Sequence, residues 1–134
     1  MRFVDTSFWI GLRFARDQRH PAARRVWEEG PGALLTSDLV IGETWTFLRR
    51  RAGHRRAVEF RDAAVRLPSL TIRHVDEDLQ AESWRWLVRH DERPYSFVDA
   101  TSFAMMRRLR LREALAFDGD FAAAGFLEVR PPLP

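Results

Sequence analysis

The sequence predicts an α/β fold with three layers, in which a short-stranded, mostly parallel sheet lies between two layers of helices. Short apolar runs of strand length alternate with amphipathic segments of helix length along the whole chain. That alternation is typical of parallel sheets, whose strands are joined by crossover helices. Neither an internal repeat nor a low-complexity linker divides the 134 residues, so we expect one domain over residues 1–134.

Each element is predicted from local signals. Strands are expected at residues 1–4, 33–36, 70–75, 113–117 and 126–131. Helices are expected at residues 8–17, 21–29, 39–52, 54–66, 77–90 and 97–110, with a helical turn at 121–125. Glycines at positions 30 and 53 mark helix ends, and Pro68 ends the basic helix before it.

Composition excludes several classes of protein. The chain has no cysteine, which rules out disulfides, thiolate zinc sites and a cysteine nucleophile. No apolar run reaches the roughly 18 residues that span a bilayer, and the first residues lack the pattern of a signal peptide, so we expect a cytoplasmic protein without a membrane partner. All 22 basic residues are arginines, which reflects either a GC-rich genome or recognition of phosphate groups.

Two carboxylates directly follow predicted strands. Asp5 comes after the first strand and Asp118 after the fourth. In parallel sheets the carboxyl ends of the strands share one edge, where binding sites gather. Each residue also has a structural interpretation, since Asp5 can cap the first helix and Asp118 can belong to an Asp-Gly turn.

Two further carboxylates have apolar neighbours. Glu43 lies in the middle of a helix, with Leu39 and Phe47 four residues away on either side, which predicts a place on the apolar stripe. The alternative is a buried ion pair with an arginine. Asp99 lies in the run YSFVDATSFAMM, where Ser96 and Asp99 also fit a helix-capping box.

Carboxylates gathered in one place repel one another unless a cation meets them. Oxygen ligands without a histidine or cysteine cluster favour Mg²⁺ or Mn²⁺ over zinc. The four histidines are spread along the chain and suggest no shared site. Asp120 is a possible fifth acid, although a cap on the turn at 121–125 is the simpler interpretation.

Four motifs, FVDTSFWI, GET, SFVDATSFA and AFDGDF, together resemble those of PIN-domain ribonucleases and, more narrowly, of VapC toxins from bacterial toxin–antitoxin pairs. The resemblance covers essentially the whole chain. It implies a PIN-like fold in which Asp5, Glu43, Asp99 and Asp118 bind Mg²⁺ or Mn²⁺ as the catalytic acids, while Ser96 and Thr6 support them by hydrogen bonds. The family commonly has Thr or Ser where this chain has Ala116, which places one supporting hydrogen bond in doubt.

The same resemblance implies a metal-dependent endoribonuclease of a type II toxin–antitoxin system. Its partners would be an RNA substrate, a cognate VapB-like antitoxin and a second copy of the chain. Alternatives are an RNA-processing PIN nuclease without a toxin role and a catalytically silent RNA- or protein-binding module. Arginines that could flank the acids for RNA are Arg13, Arg16, Arg49, Arg50, Arg51, Arg55 and Arg56, each of which could equally belong to a solvated helix face.

Overall fold

The computed structural model describes residues 1–131. Its central sheet has five parallel strands in the order β3-β2-β1-β4-β5, flanked by helices, which confirms the predicted α/β class. The strands are β1 (Arg2–Val4), β2 (Leu34–Ser37), β3 (Leu70–Arg73), β4 (Glu113–Leu115) and β5 (Leu127–Glu128). The helices are α1 (Thr6–Arg13), α2 (His20–Glu28), α3 (Asp38–Ala52), α4 (His54–Arg66), α5 (Glu77–Arg89), α6 (Phe97–Arg108) and α7 (Asp120–Ala123).

Strand order reverses between β1 and β4. From β1 the chain continues to β2 and β3 on one side of the sheet, whereas β4 and β5 lie on the other side. Phe3 is paired with Leu35 of β2 and with Ala114 of β4, so the strands that flank β1 are in register with it. The carboxyl ends of β1 and β4 therefore open a crevice at the switch point of the sheet.

Several elements are shorter than the sequence predicts. Helix α1 ends at Arg13, and the carboxylate of Asp17 then accepts the backbone N–H of Arg19 to form a turn before α2. Strand β3 ends at Arg73 because the next residues bond to a side chain: Asp38 accepts the backbone N–H of Val75. These side chains replace the backbone partners on which a longer helix or strand depends.

Helix α6 and strand β4 each end two residues earlier than the sequence predicts. Helix α6 ends at Arg108, and Arg110 has a left-handed φ of 56°, which stops any further helical turn. Strand β4 ends at Leu115, because the N–H of Phe117 donates to the hydroxyl of Ser7 at 3.0 Å. The last strand was predicted at 126–131 and is only two residues long.

Phe103 of α6 is the centre of an aromatic cluster on one side of the sheet. It is fully buried, and its ring centroid lies 4.9 Å from that of Phe121 and 5.2 Å from that of Trp86. Tyr95 and Phe126 contact the same ring. The cluster holds α6 against α5 and α7, so it fixes where the first turn of α6 lies.

None of the helices within residues 1–131 is both long enough and apolar enough to cross a membrane.

We expect Phe103→Ala to lower the free energy of unfolding by about 3–5 kcal/mol, because a large cavity replaces a buried ring. Chemical denaturation monitored by circular dichroism measures this loss. Val88→Ala is the matched control on the neighbouring helix α5, where Val88 is 84% exposed, and it should change stability by less than about 0.5 kcal/mol. Equal effects of the two variants would contradict the assignment of Phe103 to the core.

Candidate metal centre

Asp5 lies at the end of β1, in the crevice of the switch point. Its backbone N–H bonds to the carbonyl of Leu115 at 3.0 Å, which ties it to the end of β4. The residue is 2% exposed and caps α1, as one of its two interpretations predicted. One oxygen, Oδ2, accepts both the backbone N–H of Ser7 at 3.1 Å and the Ser7 hydroxyl at 2.7 Å.

Ser7 is a supporting residue that sequence reasoning missed. Its Oγ donates to Asp5 and accepts the N–H of Phe117, so it bridges the ends of β1 and β4. Thr6 was predicted in this supporting role, yet its Oγ1 is buried and has no hydrogen-bond partner within residues 1–131. As the N-cap, Asp5 accepts the backbone N–H of Ser7, the second helical residue, and the Ser7 hydroxyl bonds to the same oxygen.

Asp99 is presented by the first turn of α6. The Ser96 hydroxyl accepts the backbone N–H of Asp99 at 3.0 Å, and Asp99 Oδ2 accepts the backbone N–H of Ser96 at 2.9 Å. Both bonds of the predicted capping box are therefore present. Asp99 is 9% exposed, and its position is fixed by local hydrogen bonds at one oxygen.

Asp99, Asp118 and Asp120 form a three-acid group, in which one carboxylate oxygen from each residue lies within 4.8 Å of the others. The predicted cap role of Asp120 is wrong: the N-cap of α7 is Gly119, with a left-handed φ of 84°, and it makes no side-chain cap bond. The N–H of Asp120 instead donates to Asp118 Oδ1 at 3.1 Å, which holds the two acids together.

Burial and mutual repulsion raise the pKa values of these acids. Burial raises the pKa of Asp5 to about 7, and the negative charges of Asp118 and Asp99 add to the rise. Burial raises the pKa of Asp99 to about 6, with further rises from Asp120 and Asp118. The pKa of Asp118 is also raised, first by burial and then by the charge of Asp120. The crevice therefore favours either protons or another source of positive charge.

Glu43 is not on the apolar stripe of its helix, and that prediction is wrong. The buried face of α3 carries Val40, Thr44 and Leu48, and Glu43 lies one residue, or about 100°, away from it. Its side chain is exposed, which also excludes the alternative of a buried ion pair. Among residues 1–131 the three-acid group includes neither Glu43 nor Asp5, so a metal-binding role for either residue stays a prediction.

Arg93 is a second residue that the sequence did not single out. Its Nε donates to Asp120 Oδ1 at 2.9 Å, and its Nη2 contacts the carbonyl of Asp118 at 3.4 Å. These bonds join the loop before α6 to the turn that carries Asp118 and Asp120. Nothing in the sequence distinguishes this arginine from the others, because its partners lie 25 and 27 residues away.

The donor set fits a hard divalent cation. Asp5 and Asp99 each engage Oδ2 in hydrogen bonds and Asp118 engages Oδ1, and the remaining oxygen of each has no partner within residues 1–131. Oxygen-only ligands of net negative charge suit Mg²⁺ or Mn²⁺. The histidines make contacts elsewhere, for example His74 with Asp38 and His90 with Glu92.

Comparison with known proteins defines the class. Residues 2–127 match the PIN domain family, and the chain therefore belongs to the PIN-domain family. It is 58% identical over 132 residues to the 23S rRNA-specific endonuclease VapC20 of Mycobacterium tuberculosis, with 98% of this chain and 99% of that protein covered. This similarity places the chain among the VapC-type PIN proteins.

Solved structures agree with this placement. The crystal structure of Mycobacterium tuberculosis VapC20, described as a sarcin–ricin loop cleaving toxin, matches with a TM-score of 0.92 and 57% identity, over 98% of this chain and 100% of that one. A toxin–antitoxin complex from Klebsiella pneumoniae matches with a TM-score of 0.64 and 22% identity, over 96% of this chain and all of that one. The second likeness shows the shared fold alone.

We expect Asp99→Asn to stabilise the metal-free protein in a pH-dependent way. The folded-state pKa of Asp99 lies above its ordinary value of 3.8, so the folded chain binds more protons than the unfolded chain between these values. Stability contributed by the protonated form is therefore lost as pH rises from about 4 to about 6. The melting temperature of Asp99→Asn should exceed that of the wild type by roughly 3–5 °C above pH 6 and by little at pH 4.

Thermal melts in a chelator at several pH values measure this difference. Asp91→Asn is the matched control, because Asp91 is exposed and lies outside the crevice. A pH-independent gain for Asp99→Asn, or an equal gain for the control, would contradict the raised pKa.

We expect Ser7→Ala to lower the free energy of unfolding by about 1–3 kcal/mol, since the N–H of Phe117 loses its acceptor in a buried place. It should also weaken binding of Mn²⁺ about 10–100-fold, because Asp5 loses the hydroxyl that orients it. Calorimetry measures both quantities. Thr6→Val, which removes a hydroxyl without a partner, should leave both nearly unchanged, and the reverse ranking would assign the supporting role to Thr6.

Proposed function

We propose that this VapC-type PIN endoribonuclease, the toxin of a toxin–antitoxin system, cleaves RNA at a Mg²⁺ or Mn²⁺ ion held by Asp5, Asp99 and Asp118. One observation carries the proposal: carboxylate oxygens of Asp99 and Asp118 lie within 4.8 Å of each other, and Asp5 is near enough for both charges to raise its pKa. Each of the three acids keeps one oxygen free of hydrogen bonds within residues 1–131. Glu43 is proposed as a fourth ligand at the exposed rim. The whole chain, residues 1–134, is proposed to be one nuclease domain.

The proposed chemistry is hydrolysis of a phosphodiester. A bound divalent cation supplies Lewis acidity, which activates water and neutralises charge on the phosphate oxygens. The chain's own residues orient the reactants: Ser7 holds Asp5, Ser96 holds Asp99, and the N–H of Asp120 holds Asp118. Asp99 or Asp118 is proposed to take the proton of the attacking water.

Asp120 has a different proposed role. Its Oδ1 accepts from Arg93, so the charge of Asp120 is offset by a guanidinium within the chain. A carboxylate that is paired in this way binds a cation less readily than Asp99 or Asp118 does. We therefore propose that Asp120 mainly positions the turn at 118–120, and that it serves as a fifth acid only through Oδ2, which has no partner within residues 1–131.

The proposed substrate is the sarcin–ricin loop of 23S rRNA. The support is the 58% identity over nearly the full length to VapC20, whose name describes a 23S rRNA-specific endonuclease and whose crystal structure is described as that of a sarcin–ricin loop cleaving toxin. A VapB-like antitoxin is the proposed protein partner, and the cytoplasm is the proposed compartment, since both ribosomal RNA and a cysteine-free chain suit it. A homodimer is supported by exposed apolar side chains on α5, namely Trp84 and Val88.

We expect the wild type to cleave an oligoribonucleotide of the sarcin–ricin loop in Mg²⁺ or Mn²⁺ and to be inactive in a chelator. Asp118→Asn should lower kcat at least about 100-fold, because a ligand contributes no less than the groups that orient it. Gel electrophoresis of end-labelled RNA gives both the rate and the cut position. Glu59→Gln is the control, because Glu59 pairs with Arg55 and Arg56 on α4, and its rate should stay within about twofold.

Cleavage that persists without divalent metal would contradict the mechanism. Cleavage of unrelated RNA at the same rate would contradict the proposed substrate and leave the metal centre intact. Co-expression with a small open reading frame adjacent to the gene tests the toxin role, since a cognate antitoxin restores growth.

A further inference from the structure

Three arginines from separate parts of the chain donate to three consecutive backbone carbonyls beside the metal centre. Arg130 donates to the carbonyl of Ala116 at 2.6 Å, Arg19 donates to that of Phe117, and Arg93 contacts that of Asp118 at 3.4 Å. A carbonyl is a neutral acceptor, so these bonds fix each guanidinium without neutralising its charge. Positive charge is thus placed along the segment that leads to Asp118.

The three guanidinium groups differ in their remaining partners. Arg93 pairs with Asp120 at 2.9 Å, and Arg130 pairs with Glu128 at 2.7 Å. Arg19 makes no ion pair with any carboxylate in residues 1–131, and the carboxylate of Asp17 accepts the backbone N–H of Arg19. The charge of Arg19 is therefore available to a ligand, whereas those of Arg93 and Arg130 are largely offset.

Arg19 is exposed but held in place. Its guanidinium donates to the carbonyl of Phe117 and lies over the ring of the same residue, 5.4 Å from the centroid. Two contacts to one buried residue restrict a side chain that otherwise has many rotamers. A ligand that binds to Arg19 consequently loses less side-chain entropy than one that binds to a free surface arginine.

A cleft of about 360 Å³ contains both Arg19 and Asp118. Its walls include Ser7, Gln18, Phe47 and Phe117, and the carboxylate of Asp17 also borders it. Phe47 also lines an adjoining cleft with Glu43, Arg50 and Arg51. Phe47 is thus shared by the cleft that contains Arg19 and Asp118 and by the cleft that contains Arg50 and Arg51.

We propose that Arg19 binds an RNA phosphate next to the one that is cleaved, in the cleft shared with Asp118. This inference rests on the proposed function. Carboxylates around a cleavage site repel the RNA backbone, so a fixed cation beside them is needed to hold the strand. The guanidinium fork donates to phosphate oxygens through the N–H groups that Phe117 does not occupy. Arg19 contacts substrate, and its contact is with the backbone and independent of base sequence.

Removal of this contact should affect substrate binding and not chemistry. In Arg19→Gln the KM for a sarcin–ricin loop oligonucleotide should rise roughly tenfold, with kcat within about twofold. In the cleavage-deficient Asp99→Asn background, fluorescence anisotropy should show a similar loss of RNA affinity. The slope of log K against log salt should fall by about 0.7, as one phosphate contact on single-stranded RNA predicts.

Matched variants separate this role from others. Arg61→Gln removes an equal charge from an exposed site on α4 that borders neither cleft, and it should change KM by less than twofold. Arg19→Lys keeps the charge and loses the fork, so the salt slope should return to the wild-type value while KM stays raised. Mn²⁺ affinity, measured by calorimetry, should be equal in the wild type and Arg19→Gln.

Three outcomes would overturn the inference. A KM for Arg19→Gln equal to that of Arg61→Gln would contradict phosphate binding by Arg19 and would leave the proposed nuclease function unaffected. A loss of Mn²⁺ affinity with a fall in kcat would show that Arg19 positions the segment before Asp118 and does not bind RNA. A wild-type protein that neither binds nor cleaves RNA would contradict both phosphate binding by Arg19 and the proposed nuclease function.

Discussion

The parallel pairing of β1 with β4 is the contact on which the rest of the site depends. It places Asp5 and Asp118, which are 113 positions apart in the chain, at the same edge of the sheet and at its switch point. The hydroxyl of Ser7 fixes this arrangement, because it bonds to Asp5 and to the N–H of Phe117. Helix α6, held by the aromatic cluster around Phe103, then brings Asp99 to the same crevice. The contacts that pack the layers of this fold therefore also set the geometry of the site.

Gathering carboxylates in a crevice costs folding free energy. Burial and like charge raise the pKa values of Asp5, Asp99 and Asp118, so their ionised forms destabilise the metal-free protein. Local hydrogen bonds at one oxygen of each acid offset part of this cost without occupying the second oxygen. Beside them, Arg93 offsets the charge of Asp120. Charge repulsion that local hydrogen bonds offset only in part is expected at a functional site, because residues there are selected for their chemistry at a cost in stability.

Local patterns predicted much of this structure and failed where tertiary contacts decide. The strand ends gave the places of Asp5 and Asp118, and the capping box of Ser96 and Asp99 is present as predicted. Glu43 was misplaced because its spacing from Leu39 and Phe47 suggested a stripe that in fact runs through Val40, Thr44 and Leu48. The roles of Ser7, Arg19 and Arg93 depend on partners 25 to 110 residues away. The chain contains 22 arginines, and no local signal distinguishes Arg19 and Arg93 from the others.

The central claim is that Asp5, Asp99 and Asp118 share a divalent cation. Crystals grown with Mn²⁺ test it most directly, because the anomalous signal of manganese distinguishes the ion from water and from lighter ions. We expect one strong anomalous peak bounded by oxygens of Asp5, Asp99 and Asp118, at the roughly 2.0–2.2 Å separation of small divalent cations. A peak at another place on the chain, or none at saturating Mn²⁺, would contradict it.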